Sequence, residues 1–408
     1  MIKKIIAALS AAVLIIPSIP LNAAAEEISC DSSVLTYTVN GSSAVITGYK
    51  SAGAIVTIPE VIGGLNVTEI SSGAFSDCEN AVTLTVPNSL VKIGEKAFEN
   101  CRNLKTIYIG NSVSEIGSYA FSGCQSLESF TVGGLNSSFS VKNGMLCNSG
   151  GTELIAYAGA ADASVPEGII SIGKAAFFSN SRIRSVSLPA GLVSIGDYAF
   201  SGCLNLKEIS LPSTVKSLGT GSFMSCSSLE KAILSGGLSS VPNECFSMCT
   251  SLAAVNFPSG ITSLGDSAFY SCGKLTGSEI PPTVKTIGSN AIGTHYDMIS
   301  RKNAAFNGFY LSGTYGSAAE AYCKSNKIGF LDYNNLRYGD INGDGTVDAT
   351  DASGILAEYA AVATGRTPSF TYVQTLLGDY NCDGTINAVD ASCVLSYYAS
   401  VATGALPR

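Results

Sequence analysis

Apolar and polar positions recur along this chain with a period of 23 residues. Phe75, Phe98 and Phe121 keep this interval, as do Phe177, Phe200, Phe223, Phe246 and Phe269, and Ile292 takes the next slot. Ala precedes most of them. Cys follows three residues later, at Cys78, Cys101, Cys124, Cys203, Cys226, Cys249 and Cys272, with Asn180 as the exception. After three more comes Leu104, Leu127, Ile183, Leu206, Leu229, Leu252 or Leu275. A short alternating run follows, such as Ile107 to Ile109 or Ile209 to Leu211, and this spacing predicts a strand. Pro often closes it, as at Pro87, Pro189, Pro212, Pro258 and Pro281.

No such unit can bury its apolar face alone. Stacking aligns equivalent side chains into continuous Phe, Cys and Leu ladders. The strands then pair in parallel, about 4.8 Å apart. Ser72, Ser118, Asp197, Thr220, Asn243, Asp266 and Ser289 sit two residues before the Ala-Phe slot. They are good N-cap residues and predict a one-turn helix bearing the Phe. Glu95 and Lys174 depart from this. The ladder cysteines read as buried free thiols, because an in-register ladder specifies no unique disulfide pairing. Cys30, Cys147, Cys245, Cys323, Cys382 and Cys393 lie outside the ladder, and the sequence does not pair them.

The period breaks once, where Phe121 and Phe177 are 56 residues apart. The extra segment, Phe139 to Tyr157, has two strand-like runs around Asn148-Ser-Gly-Gly151, which predicts a hairpin that juts from the solenoid.

A second, shorter pattern closes the chain. Asp340, Asn342, Asp344, Asp348 and Asp351 occupy positions 1, 3, 5, 9 and 12 of a loop with Gly345 at position 6. Asp379, Asn381, Asp383, Asn387 and Asp390 repeat it 39 residues on, around Gly384. A hard cation takes six to eight oxygen ligands, and this is the spacing of an EF-hand-type calcium loop. The duplication predicts two Ca2+ ions. A helix-like run follows each loop. Ile355, Leu356 and Tyr359 fall at helical spacing in the first, and Val394, Leu395 and Tyr398 in the second.

Composition narrows the function. With 46% hydrophobic and 13% charged residues the chain can bury a large core. Its formal net charge of −8 argues against nucleic acid as a partner. Lys3 and Lys4, the apolar run Ile5 to Ile16 and Ala23-Ala24-Ala25 predict a cleaved leader over residues 1–25, hence a secreted protein with no membrane span. His295 is the only histidine, no His-based triad pattern converges on it, and it lies in an unperiodic stretch and reads as a surface residue. No serine lies in a nucleophile elbow. Trp is absent, which removes the best sugar-stacking side chain, but 18 Tyr remain, so carbohydrate binding is weakened yet stays open and the ligand of the repeat face is a protein or a glycan.

The repeat region resembles the leucine-rich repeats of BspA-like bacterial surface proteins. Val113-Ser-Glu-Ile-Gly-Ser-Tyr-Ala-Phe-Ser-Gly-Cys124 and Val193-Ser-Ile-Gly-Asp-Tyr-Ala-Phe-Ser-Gly-Cys203 carry the likeness. It implies an α/β solenoid with a parallel sheet and short helical turns, right-handed and used for adhesion or protein binding, whose ligand it does not name. It further implies an N-terminal cap at 26–67, repeats over 68–332 with the hairpin insert at about 135–160, and a C-terminal cap at about 310–332. Residues 333–338 would be a linker.

Residues 339–408 resemble a dockerin, a small all-α calcium-binding domain that plugs passengers of cellulosome scaffolds into a cohesin. The resemblance implies a bidentate Asp at position 12, with backbone carbonyls from Thr346 and Thr385. It implies cohesin contact through Ala349, Thr350, Ala357 and Ala361 in one half, and Ala388, Val389, Ser396 and Ser400 in the other. The helix faces lack the basic residues of some dockerins, and the joining segment, Arg366 to Leu377, is long. The expected function is a non-catalytic adhesion or protein-binding subunit, attached through cohesin to a cellulosome scaffold or cell surface and associated with polysaccharide degradation. The alternatives are a glycan-active hydrolase and a subunit that regulates neighbouring enzymes.

Overall fold

The computed structural model describes residues 34–404, apart from 51–52, 160, 333–336, 343–344, 367–369 and 371. The expected leader, Cys30, most of the expected linker and Asp344 fall outside the described residues.

Residues 35–332 wind into a parallel β solenoid. Each coil contributes a strand of three or four residues, as in Thr83–Thr85, Thr106–Ile109 and Ser129–Val132, and then a two-residue strand, as in Lys92–Ile93 and Glu115–Ile116. Both kinds stack in parallel with the 23-residue offset of the sequence: Thr83 pairs with Thr106 and Thr106 with Ser129, while Ser171 pairs with Ser194 and Ser194 with Ser217. A strand this short cannot stand alone, so its burial comes from the coils on either side. Leu84 and Ile107 from the first kind, Ile93 from the second, and Phe75 and Phe98 from the turns between share one buried cluster.

The Phe rings stack as expected. Phe200 lies 5.2 Å from Phe223, Phe223 5.1 Å from Phe246, and Phe246 5.2 Å from Phe269, the rings of each pair nearly parallel. The Ala-Phe segment, however, does not close a regular helical turn. It is a run of tight turns, as when Ala74 N donates to Ser71 O, Ser76 N to Gly73 O and Cys78 N to Phe75 O. Left-handed residues such as Asp77, Asn100 and Tyr198 make these turns. The alternate amides point to the next coil instead: Gly73, Phe75 and Asp77 donate to the carbonyls of Glu95, Ala97 and Glu99. Three of the expected N-cap residues, Asp197, Asn243 and Asp266, do cap, but across coils. Asp197 Oδ1 accepts from Thr220 N at 2.9 Å, Asn243 Oδ1 from Asp266 N at 2.9 Å, and Asp266 Oδ1 from Ser289 N at 2.7 Å. The Gly of each Ile-Gly pair has a related cause, since a Cβ at Gly117 would press into the backbone of Glu95.

The insert is not a jutting hairpin. Phe139–Lys142, Met145–Asn148 and Glu153–Ala156 form an antiparallel meander. Its last strand pairs in parallel with Ser171–Ile172 and so joins the solenoid. Leu146, Cys147 and Leu154 are fully buried. The first turn, Asn143-Gly144, has positive φ at both residues, as a two-residue hairpin requires. An antiparallel pair, Leu35–Asn40 with Ser43–Tyr49, opens the solenoid. At the far end the helix Ala318–Asn326, capped by Ser317, covers the last coil, and Tyr322 Oη bonds both N and O of Ile292. His295 is half-buried, not a surface residue: its ring stacks on Phe306 at 4.4 Å.

Beyond residue 337 the helices Ala349–Ala363 and Ala388–Ala402 pack around Ile341, Ala352, Ile355, Leu377, Ala391 and Val394. A short helix, Tyr372–Gly378, lies in the joining segment. That segment is tied back: Glu358 Oε1 accepts from Phe370 N at 3.0 Å, and Gln374 Nε2 donates to Ile341 O at 3.3 Å.

Candidate calcium and docking site

Both acidic loops fold the same way, for a local reason. Asp348 and Asn387 are N-caps, and Asp351 and Asp390, three residues on, reach back to the cap amide. This reciprocal capping box starts each helix and places the position-12 carboxylate under its own loop. Asp351 and Asp390 are each 0% exposed. Asp351 Oδ1 accepts from Ile341 N and Asn342 N and its Oδ2 from Asp348 N; Asp390 Oδ1 accepts from Asn381 N and its Oδ2 from Asn387 N. Gly345 and Gly384 both take φ of +87°, the left-handed turn that position 6 demands. Asp340 Oδ2 accepts from Gly345 N and Asp379 Oδ2 from Gly384 N, so position 1 is held from the same point in each loop.

In the second loop Asn381 Oδ1 also accepts from Asp383 N, Asp383 Oδ1 from Thr385 N and Oγ1, and Asn387 Nδ2 donates to Thr385 O. Burial pushes the Asp351 carboxyl up, opposed by the amides it accepts from. The Thr385 hydroxyl and the Asn381 amide hold the Asp383 carboxyl down. Among the described residues no three His, Cys, Asp or Glu side chains already converge as a metal cluster. The donors that the two loops offer are all oxygens, which suits a hard cation such as calcium.

The expected docking residues are accessible. Ala349, Thr350, Ala357, Ala388, Val389 and Ser396 are exposed, and Ala361 and Ser400 are half-buried. The helical spacing of Leu356, Tyr359, Leu395 and Tyr398 predicts core positions, but all four are exposed. Ala352 with Ile355 and Ala391 with Val394 fill the centre instead. Two helices and one short turn are too small a body to cover both stripes. The sequence signal for exposure is the spacing itself, since Leu356 and Leu395 lie one residue off the buried stripe.

Six copies of the model for the BspA type leucine rich repeat region match residues 55–155 and 165–298. The chain belongs to the BspA-type leucine-rich-repeat family. The dockerin type I domain model matches residues 338–397, so this repeat protein carries a dockerin. Dockerin type I domains bind calcium, and the domain implies a cohesin partner and a cellulosome-type interaction role. Among solved structures, the chain is similar to a leucine-rich repeat protein from Eubacterium ventriosum, at 19% identity over 64% of this chain and 92% of that one, with a TM-score of 0.45. A leucine rich cell surface protein from Faecalibacterium prausnitzii matches at 19% identity over 67% and 96%, with a TM-score of 0.33. A leucine-rich repeat protein from Bacteroides ovatus matches at 20% identity over 75% and 100%, with a TM-score of 0.33. No curated protein matches. Among the described residues no helix is long and apolar enough to cross a membrane.

Proposed function

We propose that this BspA-type repeat protein is a secreted, non-catalytic binding subunit of a polysaccharide-degrading assembly. A capped solenoid at 26–332 binds or adheres, and the dockerin at 339–408 fixes it to a cohesin on a scaffold or cell surface. Two calcium ions shape the plug. Asp340, Asn342, Asp344, Asp348 and Asp351 with the Thr346 carbonyl hold one. Asp379, Asn381, Asp383, Asn387 and Asp390 with the Thr385 carbonyl hold the other. Calcium supplies the positive charge that lets these carboxylates converge.

The duplicated network carries this reading: two fully buried position-12 aspartates each bind their own loop amides in the same pattern. The docking face comprises Ala349, Thr350, Ala357 and Ala361 and its repeat Ala388, Val389, Ser396 and Ser400. The exposed Leu356, Tyr359, Leu395 and Tyr398 add apolar area on the same helices, in keeping with a cohesin of apolar face. The near-identity of the halves supports docking in two orientations about 180° apart.

The test is capture of the chain on immobilised cohesins with calcium and with chelator. Binding with calcium alone is expected, and binding that ignores chelator refutes the proposal. Substitution of Ala388-Val389 alone should leave binding intact; if it abolishes binding while changes at Ala349-Thr350 do nothing, the two-orientation reading fails. The hydrolase alternative needs two acids across a cleft. Glu153 is the one acid lining the cavity beside Phe121, while a more open groove is lined by Glu69, Glu95 and Glu115. Turnover of plant polysaccharides by the full chain would overturn the non-catalytic reading.

A further inference from the structure

The break in the 23-residue period leaves a seam. At the other coil interfaces each Phe amide donates to the next coil, as in Phe98 N to Ala120 O, Phe177 N to Ala199 O and Phe246 N to Ala268 O. The equivalent acceptor for Phe121 is Ala176 O, and that carbonyl accepts from Tyr157 N at 2.9 Å instead. Among the described residues neither the Phe121 amide nor the Tyr119 amide finds a carbonyl, so two rungs of the ladder stand open. The third persists, Gly123 N donating to Phe178 O at 3.3 Å. The hydrophobic core divides here as well, one cluster reaching Ala158 from the N-terminal side and the other starting at Met145. Phe121 is only partly buried, although Phe98, Phe177 and Phe200 are fully buried.

A cavity of about 180 Å3 fills the gap, lined by Tyr119, Phe121, Ser122, Tyr157, Lys174 and Phe178 among others. Ser122 is 4% exposed and its Oγ has no hydrogen-bond partner. A buried hydroxyl and two open amides disfavour a purely apolar occupant, which would leave them unsatisfied. The Lys174 ammonium sits 5.5 Å over the Tyr119 ring at the rim of the cavity. A small ring with an apolar face for Phe121 and hydroxyls on its rim that donate or accept meets both the aromatic wall and the open polar groups.

We propose that the seam pocket binds one pyranose ring, as a free monosaccharide or the end residue of a glycan. This gives the solenoid a ligand class, and it is independent of the dockerin, so either reading can fail alone. The test is saturation-transfer NMR and calorimetry on the full chain with D-xylose, D-glucose and D-galactose. At least one should bind at millimolar concentration. Ser122→Val should weaken it about tenfold. Ser122→Met should abolish it by filling the space, and Met224 occupies the equivalent slot three Phe-bearing coils on, so the fold tolerates it. Calcium uptake should stay unchanged in both. Should either variant unfold, Phe121→Leu keeps an apolar wall, removes the stacking ring and is expected to weaken binding by a similar factor. Absence of binding by all three sugars, or binding unchanged in Ser122→Met or Phe121→Leu, overturns the proposal.

Discussion

The thiol of Cys249 donates to the backbone carbonyl of Phe223, 3.1 Å away in the preceding coil. Cys101, Cys124, Cys203, Cys226 and Cys272 do the same to Phe75, Phe98, Phe177, Phe200 and Phe246. This explains why Cys, and not Ala or Val, keeps that slot. The turn leaves the Phe carbonyl inside the core, and a weak S–H donor satisfies it without a full polar group. The ladder is therefore a hydrogen-bonding device and needs no disulfide. Cys249→Ala should destabilise the solenoid by about 1–2 kcal/mol, through lost volume and the loss of one of the two hydrogen bonds to the Phe223 carbonyl, which also accepts from Cys226 N. Chemical denaturation read by circular dichroism checks this; an unchanged midpoint would remove the thiol's role.

Burial also sets the chemistry of these thiols. It pushes Cys272 up to about 12, and Cys245 up to about 12 against the Ser222 hydroxyl. In the unfolded chain the same thiols ionise near the ordinary value of 9.0, so the fold holds their protons more tightly. The stability this contributes is whole below about pH 9 and is lost as pH rises towards about 12. Thermal midpoints should fall through that window. Native alkylation followed by peptide mass spectrometry should label the exposed Cys382 well before Cys245 and Cys272.

The Phe ladder predicts a graded response. Phe200 is fully buried between Phe177 at 4.4 Å and Phe223 at 5.2 Å. Phe200→Ala should cost roughly 3–5 kcal/mol. Phe121 borders the seam and is only partly buried, so Phe121→Ala should cost clearly less. Urea unfolding of the two variants decides, and equal losses would contradict an open seam.

Much of this is legible in the sequence, and the rest fails for identifiable reasons. Phe, Cys and Leu declare the coil because each repeats at one interval and needs its copy as a neighbour. Asp197, Asn243 and Asp266 announce themselves as caps, but their partners are one coil away, so local spacing points to a helix that is not there. Asn143-Gly144 is a strong two-residue turn signal overshadowed by the longer Asn148-Ser-Gly-Gly151. The seam is hidden because it depends on Tyr157 taking a carbonyl that the period assigns to Phe121. In the terminal module the position-12 aspartates are readable because one side chain serves both the loop and the capping box. The exposure of Leu356 and Tyr359 depends on how little protein there is to cover them.

Calorimetric titration of the full chain with calcium, repeated on Asp351→Asn and Asp390→Asn, tests the paired loops most directly. Two ions per chain and one in each variant are expected, with the helix signal of the terminal module falling on chelation. A chain that takes up no calcium, or whose circular dichroism ignores chelator, contradicts the proposal that these loops shape a docking plug.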